Sequence, residues 1–308
     1  MRVAVVDIGT NSTRLLIADV DRAGNLSELA RRSRVTRLGA GVDAGGVLSE
    51  AAIARVGATL DEYRELIEQH RCEANLAVLT SAVRDATNGA QFTELIRSAY
   101  NLDARTLAGE EEAQLTFLGA MSARKQPPEG PSVVIDIGGG STEFILGSGR
   151  TSGFHVSLQA GVVRLSERHI HSDPPAAREL QSVARDARRI FLEGLAPERR
   201  AGVEYGIAVA GTATSAAAIE LELDPYDPER VHGHRLLLAT VELLLARLAD
   251  MDDAQRREVV GLHPDRAPTI VAGMILLSEA MRAFELEQVE VSERDILHGG
   301  ALRVAGVA

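Results

Sequence analysis

Residues 3 to 17, VAVVDIGTNSTRLLI, recur without a gap at 132 to 146 as SVVIDIGGGSTEFIL. Six positions are identical, among them Asp7 and Asp136, which stand 129 apart. Each copy is an apolar run, a turn of small residues and a second apolar run, the pattern of a buried β-hairpin. A repeat at this distance is domain-sized, far longer than the 20 to 50 residues of a solenoid unit. The chain is therefore expected to hold two domains of one ancestral fold.

The chain beyond each hairpin agrees. Both copies continue through a third strand, LSELARRSRVTRLG in one and TSGFHVSLQ in the other. Helices and single strands then alternate. In the first half 50–70 and 91–100 read as helices, with NLAVLTS and ARTLAG as strands. In the second half 161–170, 176–193, 211–222, 235–249 and 266–284 read as helices around the strand YGIAVAG. A meander followed by alternation predicts an α/β fold, a mixed sheet with flanking helices in each domain. The boundary is placed at SARKQPPEGP, residues 122 to 131, which divides the chain into 1–121 and 122–308.

The 308 residues carry a net charge of −11, which argues against duplex nucleic acid, since unspecific binding there needs a positive surface. Lys125 is the only lysine, so nearly all positive charge is arginine, a planar fork suited to phosphate. No stretch has the roughly 20 apolar residues of a membrane helix. The lone Cys72 cannot form an internal disulfide, and a cytoplasmic location is expected.

An Asp-x-Gly turn after a buried strand is, alone, as much a tight hairpin as a ligand loop. Two of them in paired domains point to phosphate, cradled by backbone amides and hydroxyls from both sides of an interdomain cleft. The acids then need a cation, because a carboxylate aimed at phosphate repels it. Mg²⁺, with Mn²⁺ as the alternative, takes one or two carboxylates with waters and substrate oxygens, which fits Asp7 and Asp136 sharing one ion. A Walker loop is excluded for want of a Gly-Lys-Ser/Thr, and the Rossmann glycine pattern fails as well.

Three further motifs carry chemistry. LAGEEEAQLTFLGA, 107 to 120, opens a helix with three glutamates. The helix dipole accounts for one or two, but three cover about 200° of the helix face, so one must turn inward. A carboxylate there can take a proton from water. IAVAGTATSAAAIE, 207 to 220, is a strand ending in Gly211 at a helix start with Thr212, a second anion site. Arg84, Arg164 and Arg266 lie at strand ends or helix starts and are candidates to hold a phosphate chain. The His-x-His pairs, 169/171 and 232/234, lack further ligands at zinc spacing.

Taken in order, VVDIGTNSTRLLI, TSAVRDA, AGEEEAQLTFLG, VVIDIGGGSTEFIL, AGTATSAAA, DRAPTIVAG and DILHGGAL resemble the exopolyphosphatase / guanosine pentaphosphate phosphohydrolase family along essentially the whole chain. The resemblance implies two ribonuclease-H-like (actin-like) domains and Mg²⁺-dependent hydrolysis of a terminal phosphoanhydride. It puts the catalytic glutamate on Glu112 and the metal and phosphate loop on Asp136, Gly138, Gly139, Gly140, Ser141 and Glu143. It adds Asp7, Gly9, Thr10 and Asn11 as the first-domain loop, with Gly211 and Thr212 as a further phosphate contact. Longer members carry C-terminal helical domains that this chain lacks, which favours short chains over processive attack on long ones. The expected substrate is inorganic polyphosphate, with guanosine pentaphosphate as the alternative. A nonhydrolytic alarmone sensor and an actin-like kinase are the other readings. A homodimer is expected from the resemblance alone.

Overall fold

The computed structural model describes residues 1–122, 130–149 and 151–307. They form two compact units, one running from Met1 through the glutamate-led helix and resuming at Arg294, the other ending at Glu293. Most of the expected boundary at 122–131 lies outside the described residues. The expected grouping of 122–308 differs from these units in its last stretch, because the segment from Arg294 belongs to the first.

The first unit begins with the strands β1 (Arg2–Ile8), β2 (Ser12–Val20) and β3 (Leu26–Val35). Then come α1 (Val42–Gly45), α2 (Glu50–Gln69), β4 (Ala74–Leu79), α3 (Ser81–Asp85), α4 (Gly89–Tyr100), β5 (Ala104–Thr106) and α5 (Gly109–Ser122). The sheet order is β3-β2-β1-β4-β5, antiparallel across the meander and parallel from β1 onward. Strict alternation in β1 explains both faces. Ala4, Val6 and Ile8 pack with Leu15, Ile17, Val56 and Leu60 in one apolar layer. Val3 and Val5 join Leu16 and Ala18 in a second, closed by Leu297, Ala301 and Leu302. A sheet buried on both sides must read as a continuous apolar run, which is how β1 reads.

The second unit repeats the plan with β6 (Ser132–Ile137), β7 (Thr142–Ser148) and β8 (Thr151–Leu158), then α6 (Val162–His169), α7 (Ala177–Gly194), α8 (Pro197–Arg200), β9 (Tyr205–Val209) and α9 (Ala210–Glu220). It continues with α10 (Pro228–Val231), β10 (Arg235–Leu237), α11 (Leu238–Ala249), α12 (Asp253–Arg257), a 3₁₀ turn (Pro264–Arg266), α13 (Ala267–Ala283) and β11 (Gln288–Val291). Its order, β10-β11-β9-β6-β7-β8, is the first sheet's order with one strand added at the far edge. One expected helix, 235–249, starts three residues late because Arg235–Leu237 pairs with β11. The core gathers under α13, with Phe144 edge-on to Phe191 at 5.0 Å. α11 buries Val241, Leu244 and Leu248 and leaves Leu243 exposed.

The chain closes with α14 (Ile296–Val304), whose Asp295 N-cap accepts from Leu297 N. It lies on the β1 face of the first unit, against α5. Among the described residues no helix is long and apolar enough to cross a membrane.

Candidate active site

The two repeats fold as hairpins of the same construction. Gly9 N donates to Ser12 O at 2.9 Å, and Gly138 N to Ser141 O at the same distance. In each, the loop carbonyls are taken up by the segment packed beneath. Thr10 O accepts from Gly39 N, and Asn11 O accepts from Thr36 N and Arg37 N. Gly138 O accepts from Val162 N, Gly139 O from Val163 N and Arg164 N, and Gly140 O from Arg164 Nε at 2.8 Å. The start of α6 can come this close because residue 161 is glycine: a Cβ there would stand 2.3 Å from Gly139 O.

With the carbonyls occupied, the amides are what the loops have left. Among the described residues no hydrogen bond engages the N–H of Gly139, Gly140 or Ser141, nor that of Thr10 or Asn11. Unsatisfied consecutive amides are a ready anion cradle. Both glycine-turn expectations therefore fall on backbone that is chemically competent to receive phosphate.

The acids behave differently in the two units. Asp7 lies opposite Arg14 in the β1–β2 ladder, and Arg14 donates to its Oδ2 from Nε at 2.9 Å and from Nη2 at 2.6 Å. The same guanidinium reaches Asp295 through Nη1. All three side chains are largely buried. Burial raises the Asp7 carboxyl above the ordinary range, Arg14 opposing it and Asp295 adding to it. For Asp295 burial works the same way, but the Arg14 charge and the His298 hydrogen bond outweigh it and hold the carboxyl well below the usual range. The sequence reading missed Arg14 and Asp295. A signal existed for the first, since 14/143 is the column of the repeat where arginine stands against glutamate.

In the second unit Asp136 lies opposite Glu143, acid facing acid. Glu143, 1% exposed, accepts through Oε1 from Ser141 Oγ at 2.6 Å and Ser157 Oγ at 2.7 Å. Like charges directly opposite in an antiparallel pair are destabilising. A divalent cation is the kind of group that relieves this, and one or two carboxylates are all that Mg²⁺ asks of a protein. Asp136 and Glu143 fit such an ion. Asp7, already bound to Arg14, fits it less well. No group of three or more acid, histidine or cysteine side chains able to hold a metal occurs among the described residues.

Glu112 is the glutamate of the three that turns inward. It sits in the first turn of α5, 8% exposed, and its Oε2 accepts from Arg84 Nη1 at 2.9 Å. Arg84 also donates to Leu107 O, which ties the pair to the residue that follows β5. The three expected chain-holding arginines are thus engaged inside the protein: Arg84 on Glu112, Arg164 on Gly140, and Arg266 over Gly211. At Gly211 a Cβ would stand 1.6 Å from Arg266 Nη1, so that helix start is covered by a guanidinium. Thr212 is buried against Gly273 of α13. The histidines pair with acids, His169 with Asp186 and His234 with Glu220.

Residues 16–305 match the model of the Ppx/GppA phosphatase family. The chain belongs to that family. It is 38% identical to Exopolyphosphatase 2 of Mycobacterium tuberculosis over 99% of both chains, and 30% identical to Exopolyphosphatase 1 of Mycobacterium bovis over 98% of this chain and 88% of that one. Among solved structures it is similar to the Ppx/GppA family member of Aquifex aeolicus, with a TM-score of 0.82 and 31% identity over 100% and 97% of the two chains. It is also similar to an exopolyphosphatase from Cytophaga hutchinsonii, with a TM-score of 0.89 and 25% identity over 100% and 99%. As a Ppx/GppA phosphatase the protein is a hydrolase of phosphoanhydride bonds.

Proposed function

We propose that the protein is an exopolyphosphatase, removing the terminal phosphate of inorganic polyphosphate, preferentially from short chains. The observation that carries this is the pair of loops whose carbonyls are occupied and whose amides are unpartnered. Such loops serve phosphate oxygens and present nothing selective for a base. The similarity to the Mycobacterium tuberculosis Exopolyphosphatase 2, end to end, supports the same substrate.

Glu112 is the proposed general base. Arg84 fixes one oxygen of its carboxylate, so the side chain is oriented before substrate arrives and can receive the proton of an attacking water. The Gly139–Ser141 amides would hold oxygens of the chain being cleaved, and Glu143 keeps the Ser141 hydroxyl in place. Asp136 and Glu143 are the residues proposed to hold Mg²⁺ or Mn²⁺, with Asp7 as the weaker candidate. When bound, the ion would offset charge on the leaving phosphate. The proposed form is a cytoplasmic homodimer.

Phosphate release should be compared on tripolyphosphate, long-chain polyphosphate, guanosine pentaphosphate and ATP at equal concentrations of chain ends, with Mg²⁺. Polyphosphate is expected to be cleaved fastest, and Glu112→Gln to lower the rate by about 10²- to 10⁴-fold while binding persists. Faster release from guanosine pentaphosphate would reassign the substrate. No release from any of them would favour a sensor.

A further inference from the structure

Arginines remain on the surface of the first unit that no expected site used. Arg37 lies in the turn after β3, in left-handed backbone at φ +49°. Its N–H donates to Asn11 O at 2.8 Å, so it is attached directly to the first glycine-turn loop. Its neighbours make a stiff base: Leu38 is fully buried, and Thr36 Oγ1 lies 2.9 Å from Thr13 Oγ1. Arg55 reaches this turn from α2, donating from Nε to Thr36 O at 2.8 Å and from Nη2 to Arg37 O at 3.3 Å.

Two like-charged, exposed side chains are thereby brought to one turn. Neither forms an ion pair among the described residues. Arg37 is the only charged residue between Val35 and Val42, and Arg55 the only one from 51 to 60. Farther along the exposed edge strand stands Arg34, held by Glu62 at 3.4 Å with both side chains more than half exposed. A contact that long and that wet is worth little and is easily exchanged for a polyanion.

We infer that Arg37 and Arg55, extended by Arg34, form a binding rim for phosphates of the chain beyond the one that reacts. The inference rests on the proposal that the substrate is a phosphate chain. Guanidinium groups pair bidentately with phosphate oxygens. A rim of three arginines rewards added phosphates only over the few it can reach, so a short chain beyond tripolyphosphate gains all that a long one does.

The test compares KM for long-chain polyphosphate with KM for tripolyphosphate in the wild type, in Arg37→Asn, in Arg34→Gln/Arg37→Asn and in the surface control Arg22→Gln. Asparagine tolerates the left-handed backbone at 37. The long-to-short KM ratio is expected to rise about fivefold for the single variant and further for the double, and to stay put in the control. A fold defect moves both KM values and leaves the ratio alone. An unchanged ratio, or an equal change in Arg22→Gln, overturns the rim. If the wild type releases no phosphate from polyphosphate, the proposed function fails, and the rim is judged by direct binding of long-chain polyphosphate at low salt. Weaker binding by Arg37→Asn then supports it, whereas equal binding, or none by the wild type, overturns it.

Discussion

The two hairpins share backbone, loop length and the first acid, and differ at the residue opposite that acid. In the first, Asp7 faces Arg14 and the charge is settled inside the protein. In the second, Asp136 faces Glu143, another acid, whose Oε1 accepts from Ser141 and Ser157. One duplicated element thus sets an acid against an arginine in one unit and an acid against an acid in the other. The difference is a single column of the repeat. It teaches that equivalence of backbone does not carry equivalence of role when the cross-strand partner changes sign.

The largest effect should separate the two acids. Asp136→Asn is expected to lower phosphate release by about three orders of magnitude or more and to abolish any rise in melting temperature produced by Mg²⁺. Asp7→Asn should keep the Mg²⁺-dependent rise, because its carboxylate is bound to arginine. Loss of that rise in Asp7→Asn and not in Asp136→Asn would reverse the assignment. Next in size is Arg14→Met. It leaves two buried carboxylates without their counter-charge, a change that costs about 3–5 kcal/mol in chemical denaturation. The corresponding Glu143→Gln should cost much less, since glutamine can still accept from both serines. Equal costs would show that Glu143 braces its hairpin as firmly as Arg14 braces the first.

The smallest effect is a pH dependence. Asp295, held below the ordinary carboxylate range, contributes stability that is complete above about pH 4 and is lost as pH falls through its folded value. Asp7, raised by burial, works with the opposite sign: its contribution is complete at low pH and lost as pH rises through its folded value. Asp295→Asn, which keeps a side chain able to cap α14, should therefore flatten the acid side of the melting curve at about 1.4 kcal/mol per unit of pKa depression removed. An acid limb identical to the wild type's would mean that Arg14 does not bind Asp295 in solution.

Much of this was readable in the chain. The hairpins were, because a turn and its flanking strands are set by residues within a few positions of one another, and the α/β alternation followed from periodicity. Glu112 was narrowed to one of three by helix geometry and selected by family resemblance. The allocation of arginines was not readable. Arg84 and Arg266 sit beside the expected motifs yet are bound to Glu112 and set over Gly211, while Arg37, in a segment read only as a strand, carries an exposed charge next to Asn11. Asp295 was invisible for the same reason, 281 positions from the arginine it binds.

By itself, then, the sequence determined the duplicated hairpin, the layer pattern and the acid at the end of each first strand, since these depend on local sterics and on which faces are apolar. Only the tertiary structure decided that Asp295 joins the Asp7–Arg14 pair, that Arg84 meets Glu112, and which arginines stay exposed. Charges are satisfied by whatever the fold brings within about 4 Å, and for Asp295 and Glu112 those partners lie 281 and 28 positions away.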